Sequence, residues 1–351
     1  MTRLLSYSEA IREAQAQLLE VNDSVCVLGL GVPGPTGVFG TTLGLQNQFG
    51  SARVFDIPAA ETGVTGVALG MAISGMRPIL VHQRVDFAVL SMEPIVNQAA
   101  KWHYMYGGQG TAPLTIRMVI GRGWGQGPQH SQSLQAWFAH VPGLQVLMPT
   151  TPSDAKGMLI AAVLGDRPTI ILEHRWLFDV VGDVPSDLYQ TELGRAFVRR
   201  EGTDVTLIGT SYMTLECLSA AEQLNAVGIS AEVVDLATIS PLDVDTCLAS
   251  VKQTGRLVIA DTGHEEFGVA AEVIASVCTR MGTSLKGNPV RVGLPKAPTP
   301  TTPALSDHYY PRASTIVKHV AAMFGVEVPA ASESASAWKL DVPNAQFKGP
   351  Y

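Results

Sequence analysis

The chain is poor in charged residues, and basic residues are fewer than acidic ones. Charged residues make up 16% of its 351 residues, against about 25% in an average soluble protein. The net charge is -7, and no stretch concentrates the basic residues that nucleic acid or an anionic membrane surface requires. We therefore expect neither as a partner. Hydrophobic residues reach 46%, and so apolar a chain with so little charge predicts an obligate oligomer.

Cysteines and long apolar runs are also scarce. The four cysteines, Cys26, Cys217, Cys247 and Cys278, lie far apart and form no C-x-x-C pair, which excludes the usual zinc and dithiol signatures. Nothing approaches the roughly 18 consecutive apolar residues of a membrane span. Near the N-terminus, charges interrupt the chain before any stretch could form a signal peptide. We expect a cytoplasmic protein with reduced thiols.

An alternation of strands and helices fills the first half of the chain. Ser6 and Glu9 form a capping box ahead of a helix expected to end near Val21. The apolar pattern then predicts strands over 25–28, near 54, and over 79–82, 114–119, 144–147 and 169–172, with helices over 62–74 and near 90–104. A further helix after strand 144–147 has Thr151 as its cap. Repeated strand-then-helix order predicts a mainly parallel sheet.

A second, smaller α/β unit follows a stretch in which the periodicity fades. Gly182, Pro185 and Gly194 mark this boundary. Beyond it the pattern predicts strands over 205–208, 231–234 and 257–260, with helices near 213, near 269, and near 241 behind a Ser240 cap. The fold class is therefore α/β with two doubly wound domains. We expect domains over 1–180 and 203–328, a linker over 181–202 and a tail over 329–351.

One glycine motif points to a different function. Gly29, Gly31 and Gly34 spell G-x-G-x-x-G after a strand, and Asp56 lies where the ribose-binding acid of a nicotinamide dinucleotide site is sought. That motif works only if the third glycine opens a helix whose N-terminus faces the pyrophosphate. The prolines beside Gly34 keep the chain out of a helix. The sequence therefore disfavours a dinucleotide-dependent dehydrogenase.

Glu61 is the strongest candidate for a catalytic residue. It lies between a strand end and a helix rich in glycine and alanine, against which another backbone can approach closely. Apolar neighbours favour the neutral acid, whereas the helix N-terminus favours the carboxylate, a balance that suits proton exchange. An ordinary acidic residue at a helix N-terminus is the alternative for this segment taken alone.

The segment around Glu61, DIPAAETGVTGVALGMAISGMRPI, resembles the thiamine-facing segment of a known family. The family is the beta subunit of the decarboxylating component of pyruvate and branched-chain 2-oxo-acid dehydrogenases. Downstream, VDFAVLSMEPIVNQAAKWHYMYGG, GPQHSQSLQAWFAHVPGLQVLMPTTPSDAKGML and PTIILEHRWLF resemble that family in order and spacing. EVVDLATISPLD and EEFGVAAE match more loosely. The resemblance implies a transketolase-like pyrimidine-binding domain followed by a transketolase C-terminal-like domain.

The resemblance implies roles for individual residues toward thiamine diphosphate. Glu61 resembles the glutamate that hydrogen-bonds the aminopyrimidine ring and promotes the tautomer whose imino group deprotonates the thiazolium carbon. Phe87 resembles the aromatic residue that packs on that ring, and Ala59 and Gln83 are the other expected cofactor contacts. His130, in PQHSQ, resembles the histidine at the reacting end of the cofactor. A histidine there can orient substrate or exchange protons near neutral pH.

The chain also departs from the family at several positions. Arg84 brings a guanidinium close to the expected site, where it either binds an anionic group of the substrate or pairs with Asp86. Leu30 and its neighbours replace the acidic residues that usually follow the first strand, which predicts a rebuilt substrate-side loop. Gly165 and Arg167 replace an acidic residue and an asparagine near a monovalent-cation loop, so the sequence does not predict that cation.

The motif that holds magnesium and diphosphate in this enzyme class is missing from the chain. No Gly-Asp-Gly is followed by paired asparagines, and we expect no metal ligand in this chain. The resemblance implies that an alpha-type subunit supplies the oxygen ligands of Mg²⁺, in an alpha2beta2 assembly with the cofactor held by two chains.

The expected function is that of a beta-type subunit that helps decarboxylate a 2-oxo acid and pass the acyl group to a lipoyl acyltransferase or another carrier. A two-subunit transketolase-like or acyl-transferring biosynthetic enzyme, acting on a ketose or a 2-oxo acid, is the alternative that the changes at Leu30, Gln83 and Arg84 would suit. A non-catalytic scaffolding subunit is disfavoured, because Glu61, Phe87 and His130 are all present.

Overall fold

The computed structural model describes residues 2–123 and 125–327. The chain forms two compact units. The first unit comprises residues 1–120 and 137–193, and the second comprises residues 121–136 and the chain from 194 onward. The expected tail over 329–351 lies outside the described residues.

The first unit contains eight strands among its described residues. They are β1 (Thr2–Ser6), β2 (Val25–Gly29), β3 (Val54–Phe55), β4 (Arg77–His82), β5 (Thr115–Ile120), β6 (Gln145–Leu147), β7 (Thr169–His174) and β8 (Val181–Pro185). Six of these strands hydrogen-bond in the order β6-β7-β5-β4-β2-β3, and every pair is parallel. The central strands are buried along their length. The predicted parallel sheet is confirmed, and the carboxyl ends of its strands therefore meet at one edge.

Helices cover the sheet of the first unit. They are α1 (Tyr7–Val21), α2 (Leu45–Phe49), α3 (Glu61–Ile73), α4 (Val85–Ala88), α5 (Ala100–Met105), α6 (Gln135–Ala139, divided between the two units) and α7 (Pro152–Leu164). The predicted capping box of α1 is present, with the Ser6 hydroxyl accepting from the Glu9 amide and the Glu9 carboxylate accepting from the Ser6 amide. The same side of α1 buries Ile11, Ala14 and Leu18, which is the predicted spacing.

The predicted helix near 90–104 is not one regular α-helix. After α4 the chain forms a 3₁₀ turn over Val89–Ser91 and a π-helical turn over Pro94–Ala99 before α5 begins. Pro94 has no amide hydrogen, so it cannot donate to the Leu90 carbonyl one turn earlier. That carbonyl instead accepts a hydrogen bond from the Thr62 hydroxyl of α3. The irregular helix thereby gains a tie to α3.

A two-stranded antiparallel ladder lies outside the main sheet of the first unit. β1 pairs with β8, with Thr2 opposite Pro185 and Ser6 opposite Val181. The sequence did not predict either strand, since both are short, and β8 lies in the predicted linker over 181–202. Neither has the buried apolar run that identified the central strands.

The second unit is a smaller α/β layer structure. Its strands are β9 (Phe197–Arg200), β10 (Val205–Gly209), β11 (Ala231–Asp235), β12 (Thr238–Ser240), β13 (Leu257–His264) and β14 (Val290–Leu294). Its helices are α8 (Tyr212–Asn225), α9 (Val244–Thr254), α10 (Val269–Met281), α11 (Pro303–Tyr309) and α12 (Ala313–Phe324). Five strands form a sheet in the order β14-β13-β10-β11-β9, in which only the edge strand β9 is antiparallel to its neighbour.

The predicted Ser240 cap is wrong. Helix α9 begins after Asp243, whose side chain accepts from the Thr246 amide at 3.1 Å and from the Thr246 hydroxyl at 2.7 Å. Asp243 is the stronger cap because its carboxylate accepts two donors of the first turn. Within the described residues, no helix is long and apolar enough to cross a membrane.

Candidate active site

Three loops of the first unit are tied together at the carboxyl edge of its sheet. The Gly31 amide, in the loop after β2, donates to Asp56 Oδ1 after β3 at 2.8 Å. Gln83 Nε2, after β4, donates to the Leu30 carbonyl at 2.9 Å. Asp56 thus orders the glycine-rich loop, and no helix follows Gly34 before α2. This edge is where open α/β sheets bind ligands.

Glu61 is the first residue of α3 and lies at this edge. Its side chain is half-buried, and within the described part of the chain no hydrogen bond reaches its carboxylate. Ala59, two residues earlier, is exposed. The segment therefore offers an uncommitted carboxylate next to a small, accessible residue, as a ligand contact requires.

The segment that follows Phe87 is tied to the first turns of α3 by two hydroxyl groups of that helix. Thr62 donates to the Leu90 carbonyl, and the hydroxyls of Thr65 and Ser91 are 2.9 Å apart. Phe87 lies in α4, just before these anchor points, and its ring is half-buried. The structure thus brings Glu61, Gln83 and Phe87 onto neighbouring segments of one unit. The two threonines were not singled out in the sequence, because a long-range hydroxyl contact leaves no local pattern.

Arg84 is a buried cation at the start of α4. It is 3% exposed, and its guanidinium carbon lies 5.7 Å from the centre of the Phe39 ring. Arg175, which follows β7, stacks on the same ring at 5.0 Å and on Phe178 at 5.2 Å. Burial lowers the pKa of Arg175, while the Asp179 carboxylate acts in the opposite direction. The sequence reasoning missed Phe39 and Arg175, since nothing local to either residue indicates that they share this cationic cluster.

His130 belongs to the second unit, in a loop that precedes α6. Its side chain is exposed, and its amide donates to the Gly127 carbonyl at 3.1 Å. The buried Ser131 hydroxyl donates to the Gln126 carbonyl at 3.2 Å, and the Gly121 amide donates to the Gln132 carbonyl at 3.2 Å. The backbone is therefore folded back on itself around an imidazole that faces outward.

No converging metal-ligand set is found in the described ranges of the chain. They contain no group of three or more His, Cys, Asp or Glu side chains placed to hold a metal ion. At the end of α7, Arg77 Nη1 donates to the carbonyls of Val163 at 2.8 Å and Gly165 at 2.6 Å, and Nη2 lies 3.1 Å from Asp166. The Arg77 guanidinium thus hydrogen-bonds carbonyl oxygens close to Gly165 and Arg167, the positions at which the chain departs from the family's monovalent-cation loop.

Two family models match the chain, one after the other along the sequence. The model of the transketolase pyrimidine-binding domain matches residues 3–179, and that of the transketolase C-terminal domain matches residues 194–316.

Curated relatives cover most of the chain. The pyruvate dehydrogenase E1 component subunit beta of Bacillus subtilis is 42% identical, over 85% of this chain and 92% of that protein. The acetoin:2,6-dichlorophenolindophenol oxidoreductase subunit beta of Cupriavidus necator is 40% identical, over 90% of this chain and 96% of that protein. A solved structure described as a split-gene transketolase, an inactive beta4 tetramer, superposes with a TM-score of 0.73 and 25% identity, covering 92% of this chain and 99% of that one.

Proposed function

Because the chain belongs to the family of transketolase-like beta subunits that includes those of pyruvate dehydrogenase and acetoin oxidoreductase, we propose that it helps decarboxylate a 2-oxo acid. In this proposal it is the beta-type half of a thiamine-diphosphate enzyme that passes the resulting acyl group to a carrier. The observation that carries the proposal is Glu61, a half-buried carboxylate at the N-terminus of α3 with no hydrogen bond inside the described chain.

The residues at the carboxyl edge of the first sheet fit the pyrimidine half of thiamine diphosphate. When bound, that cofactor supplies a nucleophilic thiazolium carbon and an electron sink for loss of CO₂. Glu61 holds the pyrimidine ring and moves a proton at its carboxylate oxygens. Phe87 gives the ring a partly exposed aromatic surface. Gln83 orders the Leu30 loop beside it through its amide, and Ala59 leaves room for the ligand.

Two residues are proposed to act on the substrate. His130 has an exposed imidazole that can orient the substrate or deliver a proton to the acyl acceptor. Arg84 carries a charge into the loops around Leu30, where a guanidinium can bind a carboxylate or phosphate with two hydrogen bonds. Its stacking on Phe39 orients that guanidinium, since a planar cation is restrained by an aromatic face.

We propose an alpha-type subunit as the obligatory partner, in an alpha2beta2 assembly that supplies the ligands of Mg²⁺. The described residues contain no group of three or more His, Cys, Asp or Glu side chains placed to hold a metal ion. It also leaves apolar side chains exposed on α3, at Leu90 and on α5, including Val67, Ile73, Tyr104 and Met105. Exposed apolar residues in such number indicate surfaces that a partner covers. The solved relative described as an inactive beta4 tetramer is in keeping with a beta-type chain that needs a partner for activity.

The acyl acceptor defines the second candidate function. In the first, a lipoyl acyltransferase receives the acyl group. In the second, the enzyme is a two-subunit transketolase-like or acyl-transferring enzyme of a biosynthetic pathway, which the split-gene transketolase relative favours. Both proposals place the enzyme in the cytoplasm, where the four free cysteines would stay reduced.

The test is to copurify the chain with its native partner and assay the complex with thiamine diphosphate and magnesium. The substrate panel contains 2-oxo acids, acetoin and ketoses, with lipoamide or an aldehyde as acceptor. Release of CO₂ from a 2-oxo acid supports the first proposal, and ketol transfer from a ketose supports the second. A complex that turns over none of these substrates, while binding the cofactor, would contradict both.

A further inference from the structure

The loop that carries His130 is fastened at its carboxyl-terminal end by the side chain of Gln135. Gln135 is 1% exposed, and its Nε2 donates to Asp261 Oδ1 at 2.7 Å and to the Thr262 hydroxyl at 3.3 Å. Asp261 is also 1% exposed, and the same Oδ1 accepts from the Thr210 hydroxyl at 2.7 Å. Thr210 follows β10 and Asp261 lies in β13, so the acceptor is fixed by the central strands of the second unit.

The Gln135 amide is closely surrounded by Asp261 and Gly263. A Cβ atom at Gly263 would lie 2.7 Å from Gln135 Nε2 and 3.2 Å from Asp261 Oδ2. A side chain at position 263 would therefore displace the Gln135 amide from its present place beside Asp261. The Gly263 backbone and the Asp261 carboxylate thus form a specific binding position for the Gln135 amide.

The amino-terminal part of the same loop is fastened separately. The buried Arg122 side chain donates to the Gln126 carbonyl at 3.1 Å and, through Nη2, to the Thr301 carbonyl. A Cβ atom at Gly127 would lie 2.5 Å from the Thr301 hydroxyl oxygen. His130 therefore lies between two anchor points on the second unit, and only the stretch between them is free to expose its side chains.

The electrostatics around Asp261 favour an amide at position 135. Burial raises the pKa of Asp261, and the hydrogen bonds from Thr210 and Gln135 act in the opposite direction. A glutamate at 135 would place a second carboxyl within hydrogen-bond distance of Asp261, and two buried carboxyls at that separation must share a proton. An amide donates to Asp261 at every pH and so keeps the loop in one place.

We propose that Gln135 and Asp261 are positioning residues, whose buried hydrogen bond sets the place of His130 for proton exchange at the reacting end of the site. The inference rests on the proposed role of His130. Both anchor points of the loop belong to the second unit. Neither Gln135 nor Asp261 is assigned contact with substrate or cofactor.

The test uses the complex with the native partner and the variants Gln135→Leu, Gln135→Glu and Gln135→Glu/Asp261→Asn. Gln135→Leu should lower kcat about 10- to 100-fold, the effect of misplacing a catalytic group by about 1 Å, while thiamine-diphosphate affinity stays unchanged. Gln135→Glu should lose activity increasingly as the pH rises, because the shared proton is then released. The double variant should recover activity and lose that pH dependence, because donor and acceptor are exchanged and the hydrogen bond is remade.

Hydrogen exchange of residues 122–134 measures loop placement without relying on activity. Exchange should be faster in Gln135→Leu and normal in Gln129→Leu, which makes the same change at an exposed position of the same loop. Normal exchange and full activity in Gln135→Leu, or a double variant no better than Gln135→Glu, would overturn the inference. If Gln135→Leu loosens the loop but His130→Ala is fully active, the role proposed for His130 is wrong and the catalytic part of this inference falls with it.

Discussion

Glu61 is half-buried, and no described residue donates a hydrogen bond to its carboxylate, so the fold does not depend on its charge. Replacing it by glutamine is nearly isosteric and removes the group that exchanges a proton. We expect Glu61→Gln to keep the thermal unfolding midpoint and the assembly with the partner, while turnover falls by at least about 100-fold. The measurement is steady-state turnover of the assembled complex beside its unfolding curve. Activity within a few-fold of the unchanged enzyme would remove Glu61 from the mechanism.

Variants of Arg84 show whether its guanidinium binds the substrate or only supports the fold. Arg84→Met keeps an unbranched side chain against Phe39 but removes the charged donors. If the guanidinium binds an anionic substrate group, kcat/KM should fall by the equivalent of about 1.5 to 3 kcal/mol. Arg84→Lys, the matched control, keeps the charge without the planar fork and should fall between the two. Unchanged kinetics in Arg84→Met would leave Arg84 with structural contacts only, as in the alternative of pairing with Asp86.

His82 makes the fold sensitive to acid. It is buried at the end of β4, and within the described chain its Nε2 has no hydrogen-bond partner. Burial lowers the pKa of His82 from 6.5 to about 4. Between pH 6.5 and pH 4, His82 is therefore protonated in the unfolded chain and neutral in the folded chain. Stability from this group is complete above pH 6.5 and is lost as the pH falls toward 4.

The size of that pKa shift corresponds to a loss of about 3 kcal/mol in the free energy of unfolding at low pH. His82→Met should flatten the fall in denaturant midpoint between neutral pH and pH 4, whereas replacement of the exposed His140 by glutamine should not. The midpoint is measured by denaturant titration at several pH values. An equal slope in the unchanged protein and in His82→Met would contradict a neutral, buried His82.

At the scale of elements, a buried polar network connects the sheet of the first unit to the loop after β2. Arg117 of β5 donates to Glu173 of β7 at 2.6 and 2.8 Å and to Gln15 of α1 at 3.0 Å. Gln15 Nε2 in turn donates to the Thr41 carbonyl at 2.7 Å. Thr41 lies two residues from Phe39, so the network fixes the ring on which Arg84 stacks.

Removing one partner of the Arg117–Glu173 ion pair should destabilise the fold more than removing both partners. Arg117→Met leaves Glu173 buried without its counter-ion, which is expected to destabilise the fold by about 3 to 5 kcal/mol. The double variant Arg117→Met/Glu173→Leu removes both charges and should recover most of that loss. Chemical unfolding of the two variants measures the difference. A double variant as unstable as the single one would show that the pair itself, and not the stranded charge, stabilises the sheet.

The sequence predicted the elements whose signal is local. Apolar runs located the central strands, and capping residues located α1 and the start of α7, where Thr151 accepts from the Asp154 amide. The sequence could not locate β1 and β8, which pair with one another across most of the first unit. Nor could it show that Pro94 would divide a helix, since the consequence depends on the Thr62 hydroxyl reaching Leu90.

The same distinction holds for the candidate site. Glu61, Phe87 and His130 could be proposed from the sequence because each lies in a motif that resembles the family, and their roles stay predictions. The contacts of Phe39, Arg175, Gln135 and Asp261 could not be predicted, because their partners are distant in sequence and only the folded chain brings them together. Asp56 was considered for ribose binding, and the structure instead shows it accepting from the Gly31 amide.

At the scale of the whole molecule, low charge and high apolar content predicted a chain that works in an assembly. The two family models match residues 3–179 and 194–316, which are most of the chain. Neither the described structure nor the sequence shows a diphosphate and magnesium site. We propose that this chain is one half of a cofactor site and that its partner provides the other half.

This proposal is tested by calorimetric titration of the chain with thiamine diphosphate and magnesium, alone and with the proposed alpha-type partner. The isolated chain should bind the cofactor weakly or not at all, because it offers a pyrimidine contact without ligands for the metal and diphosphate. The partner should make binding tight, since it completes the ligand set and covers apolar surface. Tight, magnesium-dependent binding by the isolated chain would contradict the account.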